Sequence, residues 1–367
     1  MTATSFDLWA PLCVAFAVAF AATPLSIKIA HRIGAIDVPK DDRRMHSKAM
    51  PRFGGFAIFL GMMVSLAIFA RGHEDMMSAM LGCCLIFIFA VVDDLKTLTP
   101  LMKLIGQIAA AGAVYATGLK IEFITNWFAG DGTNMVLGNV ACCIMTVVWI
   151  VAITNAVNLI DGLDGLAAGI CIISTLCIGY VSYIHGQYVP TVAMMIIAGA
   201  AMGFLPFNFH PAKTFMGDCG SQLLGFAIAA FSIMGSVKGA TVVVVVIPAL
   251  VLGLPIVDTI FAICRRVINH QPISMGDKEH LHHRIMRAGY GQRRSVMLMY
   301  CVSGILGIVA VLYSRNLFVE SVGLIAVAIM LLYVILSETS NRNVNIRGVK
   351  IKEKNSRENA DDKAANK

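Results

Sequence analysis

Charge is what this chain has least of. Only 14% of its 367 residues are Asp, Glu, Lys or Arg, against roughly 25% in a soluble globular protein. With 57% hydrophobic residues and a mean hydropathy of +0.76, the chain is not a series of water-soluble domains to be counted by length. The start of the sequence also lacks the basic n-region of a cleavable secretory signal. Met1–Asp7 holds no Lys or Arg, and the apolar stretch Leu8–Ile27 is long enough to span a bilayer. No CxxC pair and no His-spaced cysteine cluster exists, which excludes zinc ribbons and dithiol redox motifs. Cys13, Cys83, Cys84, Cys142, Cys143, Cys171, Cys177 and Cys301 lie inside apolar runs, where a thiol behaves as a small hydrophobe. Walker and dinucleotide glycine patterns are missing, and so is any internal repeat.

What is present is hydropathy in blocks. Windows of about 20 apolar residues predict an all-α, polytopic integral membrane protein with about eleven transmembrane helices. The spans fall near 8–29, 54–70, 78–95, 103–118, 139–157, 166–184, 190–207, 221–236, 240–263, 295–313 and 317–337. Lys and Arg cluster in Arg32–Arg52, Arg265–Arg294 and the segment from Arg342, whereas Arg71, Lys120, Lys238 and Arg315 stand nearly alone in the loops between. That is the positive-inside pattern of a plasma (inner) membrane protein, not a nucleic-acid surface, so the bilayer is the expected partner and nucleic acid is not. With the N-terminus outside, eleven spans place all three basic segments in the cytoplasm. Ten would put the tail's eight Lys and Arg outside. Residues 1–337 then form a transmembrane catalytic domain and 338–367 a disordered, basic cytoplasmic tail. The outer loop Leu119–Asn139, with Gly130-Asp131-Gly132, has the composition of a short hairpin, and Trp9 and Trp127 suit the outer interface.

This topology sends every polar cluster to one face. Loop 31–53 holds Arg43-Arg44-Met45-His46-Ser47-Lys48-Ala49-Met50-Pro51-Arg52, followed by Gly54-Gly55. The third span ends in Asp93-Asp94, and the fifth in Asn155-Ala156-Val157-Asn158-Leu159-Ile160-Asp161-Gly162-Leu163-Asp164-Gly165. Loop 208–221 holds Phe215-Met216-Gly217-Asp218-Cys219-Gly220-Ser221, and loop 264–294 holds Asp277-Lys278-Glu279-His280-Leu281-His282-His283-Arg284. Such convergence predicts a single active site on the cytoplasmic face.

Each cluster has its own chemistry. Carboxylates are disfavoured at a helix C-terminus by the dipole, so Asp93 and Asp94 need a metal or a basic partner. Asn155, Asn158, Asp161 and Asp164 step by three and drift about 60° per step on a straight helix. A common ligand set therefore needs the helix to end near Asn158 and the chain to turn at Gly162 and Gly165. Asp218 lies between glycines, where backbone can approach a phosphate or metal closely. Hard oxygen donors without facing Cys or His pairs suit Mg²⁺ or Mn²⁺ rather than Zn²⁺. The lone HxHH of His280, His282 and His283 lacks a zinc geometry. With Arg284 it makes a better phosphate and nucleotide cradle.

Together these motifs resemble the polyprenyl-phosphate N-acetylhexosamine-1-phosphate transferases, in the expected order over about residues 10–337. The His-Leu-His-His form is similar to the WecA/TagO branch, whereas the MraY branch carries His-His-His. The resemblance implies a UDP-sugar donor (UDP-N-acetylglucosamine), a polyprenyl phosphate acceptor (usually undecaprenyl phosphate), UMP release and Mg²⁺, with Mn²⁺ as a substitute. It implies metal ligation by Asn158 and Asp218, and catalytic roles for Asp93, Asp94, Asp161 and Asp164, the first two toward the carrier phosphate. It also implies substrate contacts from His46, Lys48, Arg52, Asn155, His280, His282, His283 and Arg284. Another UDP-N-acetylhexosamine, or a phospho-MurNAc-pentapeptide donor, fits the same chemistry. Direct attack by the lipid phosphate and a covalent route through a carboxylate both remain open, and a homodimer is compatible with the sequence. A transporter with an ion site is the reading from another class. It would place discontinuous helices at mid-bilayer, often in matched halves, and no halves match here.

Overall fold

The computed structural model describes residues 5–37, 49–69, 72–125, 134–234, 246–270, 280–334 and 337. Helix α1 (Ser5–Ile33) is followed by a two-residue antiparallel pairing of β1 (Ile36–Asp37) with β2 (Met50–Pro51). Helices α2 (Gly55–Phe69), α3 (Glu74–Lys96) and α4 (Pro100–Ala116) come next. Strands β3 (Phe123–Thr125) and β4 (Asn134–Val136) then pair antiparallel, where the composition predicts a hairpin. The rest is helical: α5 (Asn139–Ile160), α6 (Leu166–Ile184), α7 (Tyr188–Asn208), α8 (Gly217–Ile233), α9 (Ile247–Val251), α10 (Gly253–Ile268), α11 (Leu281–Arg287), α12 (Gln292–Ser314) and α13 (Phe318–Val334). Trp127, the Gly130-Asp131-Gly132 turn and the tail 338–367 lie outside the described residues.

This is a polytopic membrane protein. Six helices, α1, α3, α5, α6, α7 and α12, are long and apolar enough to cross a membrane, while α2, α4 and α13 are apolar but shorter. By that criterion the described helices stop short of eleven. The apolar outward stripe of α5, Val140, Ile144 and Val148, stays exposed at four-residue spacing, as expected of a helix face solvated by lipid.

Local sequence sets the helix ends. Thr99 caps α4 by accepting from the Met102 N–H at 3.3 Å, with Pro100 at the first helical position. Residues 247–263, predicted as part of one span, instead form two helices separated at Leu252. Pro248 and Pro255 explain the break. Each is tolerated only in the first turn of its own helix, where the missing N–H has no bond to lose.

Helix α8 is the axis of the fold. Every residue from Cys219 to Ile233 is buried, and α3 and α5 pack along its two sides. On the flank, α7 crosses α1 through Gly199-Ala200-Ala201-Met202-Gly203. A Cβ on Gly199 would lie 2.2 Å from the Leu12 carbonyl oxygen, and one on Gly203 2.4 Å from that of Phe16. Small residues four apart let membrane helices approach at backbone distance. The alternation of directions then brings the C-terminal ends of α3, α5 and α7 and the N-terminal ends of α2, α4, α6 and α8 together.

The α1–α7 crossing makes a specific demand. Gly199→Leu places its branch against backbone that cannot yield, so the folded, monodisperse yield from membranes should fall severalfold, whereas Gly112→Leu, with open space around it, should leave it unchanged. Equal yields, read by size-exclusion chromatography, would disprove the close-packing account.

Candidate active site

The first turn of α8 holds the centre. Asp94, in the last turn of α3, accepts hydrogen bonds from the N–H groups of Asp218 and Cys219, each at 2.9 Å. A carboxylate thus satisfies two of the N–H groups that every helix start leaves open, at its favourable dipole end. Gly217 explains itself here: its φ is +74°, and a Cβ would meet the Asp94 carboxylate at 2.7 Å and the Arg52 carbonyl at 2.9 Å.

Two cations clamp this turn. Arg52 reaches Asp94 (Nε–Oδ1 3.2 Å) and Asp218 (Nη2–Oδ2 2.9 Å). Lys103, from the first turn of α4, reaches Asp93 at 2.6 Å and Asp218 at 3.0 Å. The second oxygen of Asp93 accepts from the Leu98 N–H at 2.8 Å. The adjacent carboxylates therefore find basic partners, which their place at a helix end demands. Arg52 is held by its backbone neighbours: Phe215 N–H donates to the Pro51 carbonyl (2.8 Å), and Gly54 and Gly55 donate to those of Phe215 and Met216 (2.9 and 2.8 Å). Burial disfavours the guanidinium charge, but Asp218, Asp94, Asp37 and Asp161 outweigh it and raise the pKa.

The Asn/Asp run splays as its spacing requires. Helix α5 continues to Ile160, two residues past the predicted end at Asn158. Asn155 turns toward α4: its amide donates to the Gln107 Oε1 (2.6 Å) and the Val151 carbonyl (2.8 Å), while Gln107 donates to Gln222 on α8 at 3.1 Å. Asn158 donates to Asp218 Oδ1 (3.0 Å) and the Ser221 hydroxyl (2.8 Å). Asp161, half-buried at the end of α5, faces the same centre. Burial, and then the charges of Asp218, Asp94 and Asp164, push its carboxyl up to about 7 against the opposing pull of Arg52. Asp164 points elsewhere, accepting from the Ala212 N–H at 3.2 Å and pairing with His210 Nδ1 at 2.8 Å. There it anchors the loop that carries residues 209–216.

The histidine motif is an interior wall rather than an open cradle. His282 is 1% exposed, and neither ring nitrogen has a hydrogen-bond partner among the described residues. Its Nε2 occupies the place a side chain on Gly162 would take, beside Asp161. Burial lowers its pKa to about 3, with His283 and His280 adding to the effect, so the ring is neutral at physiological pH. His280 is buried and paired with Asp258, and His283 lies tilted against His282 at 4.2 Å. Arg284 borders an apolar cavity of about 490 Å³ between α10, α11 and α13. His46 and Lys48 lie outside the described residues. Lys103, Gln107, Gln222 and Asp258 complete the arrangement although no motif announced them. Their signal was polarity inside predicted spans, where a lone charge or amide is costly without a partner.

No group of three His, Cys, Asp or Glu side chains is poised around a metal position among the described residues. The chemistry available is a buried carboxylate centre bridged by two cations at one end of a membrane helix bundle, as suits an integral membrane transferase acting on anionic substrates. A family model, glycosyl transferase family 4, matches residues 76–236. A probable undecaprenyl-phosphate N-acetylglucosaminyl 1-phosphate transferase from Bacillus subtilis is 40% identical over 86% of this chain and 88% of its own. A decaprenyl-phosphate N-acetylglucosaminephosphotransferase from Mycobacterium tuberculosis is 36% identical over 78% and 77%, respectively. An undecaprenyl-phosphate alpha-N-acetylglucosaminyl 1-phosphate transferase from Escherichia coli is 28% identical over 80% of each. The chain belongs to glycosyl transferase family 4, among the polyprenyl-phosphate N-acetylhexosamine-1-phosphate transferases that its motifs resemble.

The amide ladder Asn155–Gln107–Gln222 sets the register of α4, α5 and α8 beneath the charges. Gln107→Leu strips a partner from the buried Gln222 and from the half-buried Asn155, and should lower stability by about 1–3 kcal/mol. An unchanged midpoint on thermal unfolding in detergent would show that the ladder contributes nothing.

Proposed function

We propose that the protein transfers N-acetylglucosamine 1-phosphate from UDP-N-acetylglucosamine to a polyprenyl phosphate such as undecaprenyl phosphate. The products are the lipid-linked diphosphate sugar and UMP, at the first lipid-linked step of an envelope polysaccharide. The observation that carries this reading is Asp218 held between Arg52 and Lys103 at 2.9 and 3.0 Å. Both cations keep about a third of their side chains exposed, 32% and 30%, while the oxygens they grip on Asp94 and Asp93 belong to side chains 0% and 2% exposed. The cations can therefore meet incoming phosphate oxygens without losing their anchors.

The reaction asks little of a base. A phosphomonoester with a second pKa near 6 is largely dianionic at neutral pH. Its oxygen attacks the sugar-bearing phosphorus of the donor, and the bond to the UMP oxygen breaks. Arg52 and Lys103 neutralise the crowded phosphates, and Asp93 orients Lys103 and through it the acceptor. His282, neutral and enclosed against Gly162, forms the rigid wall beside Asp161 that bounds the donor.

Mg²⁺ fits the residues present, and Mn²⁺ is a chemical equivalent. Asp93, Asp94, Asp161 and Asp218 set four carboxylates against two cations, and burial first, then the neighbouring acids, raise the pKa of Asp161. Mg²⁺ needs only one or two carboxylates and completes its octahedron with water and substrate phosphates. Asp218 and Asn158 would hold it beside Asp161, and when bound it would supply charge neutralisation for the diphosphate. The basic segments of the sequence support a cytoplasmic active site in the plasma membrane, with shorter helices raising the span count toward eleven.

Purified full-length protein given polyprenyl phosphate and a panel of UDP-sugars should release UMP and form lipid product. Asp218→Asn should remain folded yet lose about 10²-fold or more in rate, several kcal/mol at about 1.4 kcal/mol per tenfold. Near-wild-type rates at limiting and saturating Mg²⁺ would remove Asp218 from the centre.

Metal binding should depend on pH through Asp161. Folding raises this acid's pKa, so its ionised form carries a penalty that is absent below the ordinary carboxylate range and grows as pH rises through about 7. A divalent cation relieves that penalty. Thermal stabilisation by Mg²⁺ should therefore be larger at about pH 8 than at about pH 6, and the difference should vanish in Asp161→Asn. A pH-independent stabilisation in the wild-type protein would contradict this electrostatic account.

A further inference from the structure

Helix α10 carries one acid, Asp258, in an otherwise apolar and basic sequence. It is 8% exposed, so its charge needs partners, and both come from the start of α11. Its Oδ1 accepts from the Leu281 N–H at 2.9 Å, and its Oδ2 lies 2.9 Å from Nδ1 of His280, itself 5% exposed. A carboxylate only accepts hydrogen bonds, so the pairing places the N–H of the ring on Nδ1 and leaves Nε2 its lone pair. The His280 ring lies parallel to that of His282, within 4° and with centroids 5.8 Å apart. His282 in turn abuts Gly162, next to Asp161.

The geometry points to Asp258 as a positioning residue for the transfer reaction: it fixes His280 in the Nδ1–H tautomer and holds the imidazole stack against the Asp161 turn. This role rests on the phosphosugar-transfer reading above. Asp258 touches neither substrate nor reacting atoms and acts through His280. The two oxygens have unequal duties, which makes a carboxamide a sharp probe. In Asp258→Asn the Leu281 N–H keeps the carboxamide oxygen, so the NH₂ group faces Nδ1 and drives the proton to Nε2.

The test uses the full-length protein labelled with ¹⁵N-histidine, together with UMP-release kinetics. Wild-type His280 should show a protonated Nδ1, and Asp258→Asn a protonated Nε2. The rate should fall at least about tenfold, the direction of the roughly 10⁴-fold loss when a carboxamide imposes the wrong tautomer in a Ser-His-Asp triad. On a His280→Ala background, Asp258→Asn should cost less than about twofold more, because the two residues act as one unit. An unswapped tautomer, a swapped tautomer with an unchanged rate, or additive losses would each overturn the assignment. If Asp258→Asn gives no folded protein, His280→Gln keeps a donor to Asp258 and should fold with the same loss; wild-type activity there also overturns it. If the wild-type protein releases no UMP from any UDP-sugar, the transfer reading fails, and the tautomer swap alone decides whether Asp258 sets the ring.

Discussion

Asp218 begins a helix that is buried on all sides, and nearly everything around it follows from keeping a charge in that place. A carboxylate at the start of α8 gains from the dipole, but it stands beside Asp93 and Asp94 at the end of α3, where repulsion would drive the helices apart. Arg52 and Lys103 resolve this by each bridging two acids. The bridges come from opposite flanks, one from the loop before α2 and one from the start of α4. Four segments from three distant regions of the sequence are thus tied by one electrostatic arrangement. Gly217, the docked backbone of 51–55 and the amide ladder below are the steric conditions for it.

Much of this was legible in the sequence, though unevenly. The bounds of α6 match the predicted span, because Gly165 and the polar run before it punctuate an uncharged stretch. The clustering of motifs at one end of the bundle followed from counting spans and placing charges. The 60° drift held within α5, where Asn155 and Asn158 reach different neighbours; past the helix end Asp161 faces the Asp218 centre with Asn158, and Asp164 turns to His210. What sequence periodicity does not carry is the partner of a buried polar group. Lys103 and Gln107 sit in an apolar window and read as tolerated exceptions until α8 appears opposite them. The split at Leu252 was hidden for a related reason: hydropathy averages across Pro248 and Pro255, which break a helix without making it less apolar.

The histidine motif shows where chemical intuition about a residue type departs from its environment. Imidazoles beside arginines on a basic loop suggest a charged cradle for a diphosphate. Burial removes that option for His282, whose neutral ring fits closely over Gly162 and has two nitrogens without a hydrogen-bond partner among the described residues. A ring this enclosed cannot attract an anion from a distance. Under the proposed function its part is steric, a rigid wall beside Asp161 that an incoming group would have to fit against.

On the proposed reading, long-range attraction and short-range selection would fall to different parts of the same site. Arg52 and Lys103 carry the positive charge and keep about a third of their side chains exposed, while Asp94 and Asp93 beneath them are buried. Asp161 and His282 form the unyielding side, with a carboxyl lifted toward neutrality and an imidazole held neutral. A site made only of mobile cations would bind phosphates without orienting them, and a wholly rigid one would attract them slowly. The arrangement joins the two at Asp161, the acid that feels Arg52, Asp218 and Asp94 together. Its carboxyl, raised first by burial and then by Asp218, Asp94 and Asp164, is where the proposed divalent cation would replace a proton. Binding of substrate phosphate would then reverse that balance, tightening the hold of Arg52 and Lys103 as the negative charge is spread over more oxygens.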